Sequence, residues 1–340
     1  MATTDQAAIA PPAAPLKVVA RPGSRWAGIL RFLNRYSTAL ICLLLIAGAS
    51  FFSDSFFTSR NLGNVLRQNV SVGIASMGML LVILTGGIDL SVGSVAAFGS
   101  VMVAHWLADE MPLRYALPLA VLSGGAMGAI SGFLVAGRKM PPFVVTLGML
   151  TIARGAALIV SKGQPIFIQE SGDALTQFGR SYLGGVAEPV LLLFAVFAVC
   201  WFVLQFTAFG RLVTAIGSNA EAVRLSGIRV GSYVFAVYVI SGCLAALAGI
   251  MDTARSGVGS PVLATGMELD AIAAVVIGGA SLMGGRGTAL NALLGVVILG
   301  VIGNIMNLMD VPGYNQQVVK GIIILVAVLL QSGLWSRQRA

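Results

Sequence analysis

Apolar stretches long enough to cross a lipid bilayer recur along nearly all of this 340-residue chain. A spanning α-helix needs about 20 mostly apolar residues, and fewer where it is short or broken. We therefore predict an all-α integral membrane protein with about ten transmembrane helices, some of them broken or short. The predicted helices lie near 37–53, 70–84, 89–108, 115–136, 143–161, 189–209, 232–254, 268–281, 287–308 and 317–334.

The composition excludes an ordinary soluble protein. Charged residues make up 10% of the chain and hydrophobic residues 57%, whereas a soluble domain carries about 25% charged residues. The net charge of +8 does not indicate nucleic-acid binding, because the basic residues are scattered between apolar runs instead of forming one face. Cys42, Cys200 and Cys243 lie inside apolar runs without a metal-binding spacing, so no metal and no cofactor is predicted.

The distribution of charge predicts the orientation. Cytoplasmic loops of membrane proteins are enriched in Lys and Arg. With a cytoplasmic N-terminus and ten alternating helices, the inner segments hold 13 of the 21 basic residues, namely Lys17, Arg21, Arg25, Arg31, Arg35, Arg138, Lys139, Arg211, Arg224, Arg229, Arg286, Arg337 and Arg339. The outer segments hold Asp54, Asp109, Glu110, Glu170, Asp173, Glu188, Glu268 and Asp310. Both ends of the chain are therefore predicted to be cytoplasmic.

The start of the chain differs from the rest. The first 20 residues are rich in Ala, Pro and Thr, which is typical of disorder, and basic residues follow. A signal peptide would need a small-residue cleavage site after its apolar core, but Phe51 and Phe52 flank the first apolar run. We predict a disordered basic cytoplasmic tail at 1–36, a membrane domain at 37–334 and a cytoplasmic C-terminal tail at 335–340.

A break in the helices is predicted at Gly86-Gly87-Ile88-Asp89-Leu90-Ser91-Val92-Gly93. Backbone that leaves a helix at membrane depth must be buried in protein or line a cavity. Either the break lies beside a translocation pathway, or Asp89 or Ser91 caps the following helix. The segment from Gly278 to Gly285 has the same GGxxLxxG spacing, which indicates internal duplication or coincidence in a glycine-rich chain.

Arg154 lies near the middle of the apolar run 143–161. A charge within the membrane is costly and usually paired, so it favours a functional role. Two roles remain open: part of the pathway, or a lock between helices that holds carbonyl groups or a carboxylate.

The segment from Phe209 to Val230 is the longest predicted cytoplasmic connection. Ser218 and Asn219 favour a helix N-cap, and residues 220–225 favour a helix. Gly227 favours its end. We predict a short amphipathic helix across the cytoplasmic face, and its low apolar content favours a protein partner over lipid headgroups.

No catalytic motif is present in the sequence. A phosphate-binding G-x-x-x-x-G-K-[ST] sequence is excluded, since none of the four lysines follows a glycine. HExxH, CxxC and GxSxG motifs are also missing. We predict that the chain is not an enzyme and does not itself hydrolyse ATP.

Several of these motifs resemble those of ABC importer permeases. Glu221-Ala222-Val223 followed by Gly227 is similar to the EAA---G motif of that family, with Val223 where the motif has alanine. Similarity to the ribose and monosaccharide branch extends over about residues 37–334. It is carried by GGIDLSVGS at 86–94, Thr146-Leu147-Gly148, Ala153-Arg154-Gly155, Gly163-Gln164-Pro165-Ile166 and ELDAIAAVVIGG at 268–279.

The resemblance implies a function and partners. It implies the membrane-spanning permease subunit of an ATP-driven importer of a ribose-like monosaccharide, working by alternating access in the bacterial inner (plasma) membrane. The implied partners are an ATP-binding cassette ATPase subunit, a periplasmic sugar-binding protein and a second permease subunit, with a homodimer expected. The alternative is a self-contained, ion-coupled secondary transporter that uses Asp89 and Arg154 for ion coupling.

The resemblance also implies site residues. The ATPase-coupling loop would contain Gly210, Arg211, Gly217, Asn219, Glu221, Ala222 and Gly227. The translocation pathway would include Gly86, Gly87, Asp89, Ser91, Arg154, Gly278 and Gly279. Docking of the binding protein would involve Glu268 and Asp270.

Deletion of residues 1–20 should leave membrane insertion intact, because this segment has no apolar face to contribute to folding. The measurement is the amount of chain recovered in the membrane fraction. A variant lacking residues 37–53 serves as the comparison and should insert poorly. Loss of insertion on removing residues 1–20 would contradict the assignment of this tail.

Overall fold

The computed structural model describes residues 36–49, 51, 55–168 and 170–339, with residues 330–339 as helical backbone alone. Apart from Tyr36, the predicted tail at 1–36 lies outside the described residues. All ten predicted helices are present. They are α1 Ser37–Ala49, α3 Val70–Leu84, α4 Val92–Ala108, α5 Leu113–Gly132, α6 Pro142–Ser161, α8 Glu188–Phe206, α10 Val230–Ser256, α11 Met267–Ile277, α12 Ala289–Leu308 and α13 Gly313–Arg339.

Shorter elements connect these helices. Three further helices are α2 Ser59–Gln68, α7 Asp173–Arg180 and α9 Ala208–Leu225. A π-helical turn, Phe133–Gly137, extends α5, and a 3-10 turn spans Glu170–Gly172. The strands β1 Ile166–Phe167, β2 Tyr182–Leu183, β3 Val186–Ala187 and β4 Val258–Gly259 form two antiparallel pairs, β1 with β4 and β2 with β3.

Length and apolar character identify the membrane-spanning helices. In the described part of the chain, five helices are long and apolar enough to cross a bilayer: α5 with its π-turn, α6, α8, α10 and α12. The pair α2 and α3, bent by 44°, forms a sixth if it is one span. Helices α1, α4 and the part of α13 up to Leu329 are apolar but shorter. The all-α membrane fold is confirmed, and a count of ten spans stays a prediction.

Helix α10 lies at the centre of the fold and packs against α3, α4 and α5. Its contact with α5 depends on Gly124, Gly128 and Gly132, which recur once per turn of α5. A Cβ at Gly128 would collide with the carbonyl oxygen of Tyr238, and one at Gly132 would lie 2.9 Å from that of Phe235. Small residues at a helix contact in membranes let the two backbones approach closely. The glycines therefore set the distance between these helices.

The chain leaves the helical conformation at 85–91 and again at 278–288. The break predicted at Gly86–Gly93 is confirmed, although α4 begins at Val92 and not at 89. The second segment with the GGxxLxxG spacing is also a break, because α11 ends at Ile277 and α12 begins only at Ala289. Gly86 and Gly279 have φ of 81° and 88°, a backbone conformation that suits glycine.

Basic and acidic residues separate between the two ends of the helices. One end, here called the basic face, contains residues 84–87, 138–142, 208–231 and 281–287. Its described charged residues are Arg138, Lys139, Arg211, Glu221, Arg224, Arg229 and Arg286. The opposite face carries the β1–β4 pair and the acidic residues Asp109, Glu110, Glu170 and Asp173, together with some basic residues such as Arg67. The separation agrees with the charge pattern of the sequence.

Some helix ends differ from the prediction. Helix α8 ends at Phe206, and the next helix begins at Ala208, so the chain turns before the predicted end at 209. The side chain of Thr207 makes this turn possible by accepting a hydrogen bond from the Gly210 N–H at 3.3 Å. The last helix continues to Arg339, past the predicted end at 334.

Replacing Gly128 with alanine should destabilise the protein by about 1–3 kcal/mol, because the added methyl group would push α5 away from α10. Gly303→Ala is the matched control, since a Cβ at Gly303 on α12 would meet no atom within 4 Å. The measurement is thermal unfolding of the full chain in detergent. Equal unfolding temperatures for the two variants would contradict the close contact.

Candidate functional site

A cavity of about 600 Å³ opens on the basic face. It lies between the ends of α3 and α5, the start of α6, and helices α9 and α10. Its lining includes Gly86 and Gly87 from the first break, Lys139, Glu221, Arg224 and Arg229 from the basic face, and Tyr238 from α10. Tyr238 is fully buried, and its hydroxyl has no hydrogen-bond partner among the described residues. Buried polar groups in proteins nearly always have a partner, so this unpaired hydroxyl beside the cavity marks a place for a polar ligand or a water molecule.

Asp89 holds the first break in place from within the core. Its Oδ1 accepts hydrogen bonds from the Ser91 N–H at 3.0 Å and the Ser91 hydroxyl at 2.6 Å. Its Oδ2 accepts one from the Ser241 hydroxyl on α10 at 2.9 Å. Because both carboxyl oxygens accept hydrogen bonds, this buried side chain stabilises the turn and ties it to α10.

Asp89 and Ser91 contact each other in the turn that precedes α4. Asp89 accepts a backbone N–H, as a cap would, but the N–H belongs to Ser91, which precedes α4. The Ser91 hydroxyl donates to Asp89 and does not cap the helix. Thr146 on α6 adds a further contact by donating to the carbonyl oxygen of Ile88 at 3.2 Å. Gly86 and Gly87 line the cavity, and their place in a translocation pathway stays a prediction.

Arg154 binds backbone carbonyl groups. Its Nη1 donates to the carbonyl oxygens of Pro261 at 2.6 Å and Leu263 at 2.8 Å. Arg154 is half-buried and lies about 10 Å along α6 from the end at Ser161. The carbonyls belong to the non-helical segment before α11, where backbone groups lack helical partners. The predicted partner for this charge is therefore a pair of backbone carbonyl groups, and a place for Arg154 in the pathway stays a prediction.

The residues predicted for binding-protein docking have partners inside the chain. The carboxylate of Glu268 lies against Gly93 at the start of α4 and attracts Arg154 electrostatically. The carboxylate of Asp270 pairs with Lys320 on α13 at 2.8 Å. Both residues therefore contribute to packing among the helices. Sequence periodicity does not show such partners, because they come from distant segments.

Gly278 and Gly279 end α11. A Cβ at Gly278 would collide with the carbonyl oxygen of Asn291 on α12, so this glycine allows close packing of the two helices. Neither glycine is among the residues that line the cavity. Their predicted place in the pathway stays a prediction.

The predicted coupling segment contains the expected short helix. Helix α9 is interrupted at Asn219, which has φ −162° and ψ 91°, and the Asn219 side chain accepts the N–H of Ala222 at 3.0 Å. The short helix ends at Leu225, and Gly227 follows with φ 81°. The predicted N-cap and the left-handed turn are therefore confirmed. The part of α9 before Asn219, which carries Gly210, Arg211 and Gly217, was not predicted as a helix.

Glu221 and Arg224 form an ion pair on the exposed surface of the short helix. Arg224 donates two hydrogen bonds to the carboxylate, from Nε at 2.9 Å and from Nη2 at 2.5 Å. These contacts lower the pKa of Glu221, which stays ionised near neutral pH. The two side chains are 62% and 65% exposed, so they are accessible to a partner.

Gly217 joins the coupling segment to both breaks. A Cβ at Gly217 would collide with the carbonyl oxygen of Leu84 and the N–H of Gly285. Gly285 donates its N–H to the same Leu84 oxygen at 3.0 Å. A Cβ at Gly284 would lie 2.8 Å from the backbone nitrogen of Gly86. Three backbone segments therefore meet here without intervening side chains.

Several residues of this site were missed by sequence reasoning. Tyr238 and Ser241 lie in an apolar run and carry no distinguishing signal, and Leu84 acts through its backbone oxygen. The shared GGxxLxxG spacing was the available signal for the second break and for Gly285. Among the described residues, no group of three or more His, Cys, Asp or Glu side chains could hold a metal ion.

An all-α membrane fold with interrupted helices beside a cavity is typical of membrane transport proteins. Residues 61–328 match the family described as branched-chain amino acid transport system / permease component. The ribose import permease protein RbsC of Haemophilus influenzae is 39% identical over 310 residues, 91% of this chain and 96% of that protein. That of Escherichia coli K12 is 41% identical over 303 residues, covering 88% and 94%. No solved structure matches the chain.

The chain therefore belongs to this family of transport-system permease components and is a multi-pass membrane protein. The relative from Bacillus subtilis, also named a ribose import permease protein, is 40% identical and covers 89% of this chain and 93% of its own length. The family match at residues 61–328 extends over the breaks, the coupling segment and the central helix α10.

Replacing Arg154 with leucine should destabilise the protein, because the carbonyl groups of Pro261 and Leu263 would lose their donors at a cost of about 1–3 kcal/mol each. Arg154→Lys should recover part of this loss, since lysine keeps the charge but not the planar guanidinium. The measurement is thermal unfolding in detergent. Arg114→Leu, at an exposed position on α5, is the control, and an Arg154→Leu variant as stable as this control would contradict the lock.

Proposed function

We propose that this chain is the membrane-spanning permease subunit of an ATP-driven importer of a ribose-like monosaccharide in the bacterial inner (plasma) membrane. The relatives already described are named ribose import permeases. Two others are named an L-arabinose ABC transporter permease, at 33% identity, and a D-allose transport system permease, at 36%. A monosaccharide is the common substrate class of these names.

The contact at Gly217 is the observation that carries the mechanism. The short helix 220–225 is exposed on the basic face, which the positive-inside rule orients toward the cytoplasm. A separate ATP-binding cassette ATPase would dock there and hydrolyse ATP. Gly217 touches the backbone at Leu84 and Gly285 without a side chain in between. A displacement of the docked helix would therefore move both breaks directly, because few side chains could rearrange to absorb it.

The cavity would form the inner opening of the translocation pathway. Gly86 and Gly87 leave its wall without side chains, and the Tyr238 hydroxyl, unpaired among the described residues, offers a hydrogen bond to a sugar. Asp89 and Ser91 would shape this wall from behind, and Arg154 would hold the outer part of the fold. A second copy of the chain would complete the pathway in a homodimer.

A periplasmic sugar-binding protein would dock on the opposite face. Glu268 and Asp270 would contribute indirectly, by holding the start of α11, because their carboxylates already contact Gly93 and Lys320. The ion-coupled alternative receives no support from the site. Asp89 and Arg154, both in the described part of the chain, form no ion pair with each other, and each is hydrogen-bonded to neutral groups of the protein.

Glu221→Lys and Gly227→Val should uncouple sugar uptake from ATP hydrolysis or release the ATPase. The first reverses the charge offered to the partner, and the second forces a β-branched residue into a left-handed turn. The measurement is a pull-down of the ATPase together with sugar uptake in the same membranes. Both variants should still insert and bind the loaded sugar-binding protein.

Matched controls lie on the opposite face. Glu170→Lys makes the same charge reversal at an exposed position, and Gly184→Val replaces a glycine with φ 59° that has no neighbouring atom within 4 Å of its Cβ. Both controls should retain the ATPase. Normal uptake and normal ATPase binding in the Glu221→Lys and Gly227→Val variants would disprove the coupling role.

Gly217→Ala should leave the ATPase bound but reduce sugar uptake at least severalfold, because the methyl group would separate α9 from Leu84 and Gly285. Gly231→Ala is the control, since its Cβ would have its nearest neighbour at 3.6 Å. ATPase activity and uptake are measured in proteoliposomes that contain the whole complex. Uptake equal to that of the Gly231→Ala control would show that the contact does not transmit motion.

A further inference from the structure

Arg229 lies at the meeting point of two apolar grooves on the basic face. The first groove, about 380 Å³, runs between the π-turn after α5 and the start of α10, and its walls include Phe133, Ala136 and Phe235. The second, about 450 Å³, runs between α9 and α10 and is lined by Phe209 and Tyr233, among others. Arg229 and Ser232 border both grooves.

The first groove lies beside the contact between the π-turn and the start of α10, where a Cβ at Gly231 would be 3.6 Å from the carbonyl oxygen of Ala136. The glycines that hold the two helices together end at Gly132, and the π-helical turn begins at Phe133. A π-turn widens a helix locally and often occurs at functional sites. Phe133 and Phe235 belong to helices long and apolar enough to cross the membrane, and their side chains are 52% and 39% exposed. The groove is therefore open to an apolar ligand from the side.

The charge at this position is positive and unpaired. Arg229 is exposed, and its side chain has no hydrogen-bond or ion-pair partner among the described residues. The guanidinium of Arg138 lies 5.7 Å from the centre of the Phe133 ring, at the edge of the first groove. Glu221, the acidic residue of the neighbouring cavity, is engaged by Arg224. An anionic group would therefore be attracted to the point between the two grooves.

We propose that Arg229 binds the phosphate of an anionic phospholipid from the inner leaflet, with one acyl chain in each groove. Basic residues between transmembrane helices on the cytoplasmic side are a known type of anionic lipid site. A soluble phosphate has no apolar part to fill two grooves, so the shape selects a lipid. The bound lipid would contact the residues directly after Gly227 and would thus hold the end of the short helix 220–225.

The test is retention of phosphatidylglycerol by the full chain after extraction from vesicles of phosphatidylcholine with phosphatidylglycerol, measured by native mass spectrometry. Arg229→Gln should lower retention about fivefold, the effect expected for one basic residue near an anionic headgroup. Arg211→Gln is the matched control. It removes an exposed arginine of the same face that borders neither groove, and it should retain the lipid.

A second variant keeps the charge but closes the grooves. Ser232→Trp fills the position where they meet and should also lose the lipid, whereas Ser226→Trp, outside the grooves, should not. Arg229→Lys should retain most of the lipid, which separates loss of charge from misfolding. Equal retention by the Arg229→Gln and Arg211→Gln variants would overturn the site. So would equal retention of phosphatidylcholine, or displacement of the lipid by glycerol phosphate, which would indicate a site for a soluble anion.

Discussion

The backbone of the coupling segment lies directly on the backbone of two interrupted helices at Gly217. The carbonyl oxygen of Leu84 accepts the Gly285 N–H, and Gly217 packs against both groups without a side chain between them. Backbone atoms held by hydrogen bonds and close packing have little freedom to rearrange. The three segments therefore have to move together. The cavity is lined by Gly86, which belongs to one of these segments, so such a movement would change its shape.

The interrupted helices create a second requirement, since backbone groups outside helices need partners at membrane depth. Two charged residues supply them. Asp89 accepts the Ser91 N–H and anchors the first break to Ser241, and Arg154 donates to the carbonyl oxygens of the segment before α11. Asp89 is buried with both carboxyl oxygens hydrogen-bonded, and the half-buried Arg154 donates both of its bonds from Nη1, so each side chain has polar partners. Both residues thus hold non-helical backbone in place through hydrogen bonds to neutral groups.

Glycines determine how closely α5 and α10 approach each other. Gly124, Gly128 and Gly132 bring α5 into contact with α10, and the π-turn that follows them also packs against α10. The space left beside Phe133 and Phe235 is the groove that leads to Arg229. The same helix pair therefore forms both the close glycine contact and, at the basic face, the first groove.

The sequence by itself determined the class of fold, the ten helices and the first break, because hydropathy and glycine pairs are local properties of the chain. The second break, inside the helix predicted at 268–281, appeared only in the structure. It also determined the Asn219 cap and the left-handed turn at Gly227, since those depend on neighbouring residues. The partners were decided by the tertiary structure. Asp89 and Ser241 are 152 positions apart, and Arg154 and Pro261 are 107 apart. Such pairs, like the contacts of Gly217, form only when distant helices pack, and no local pattern records that packing.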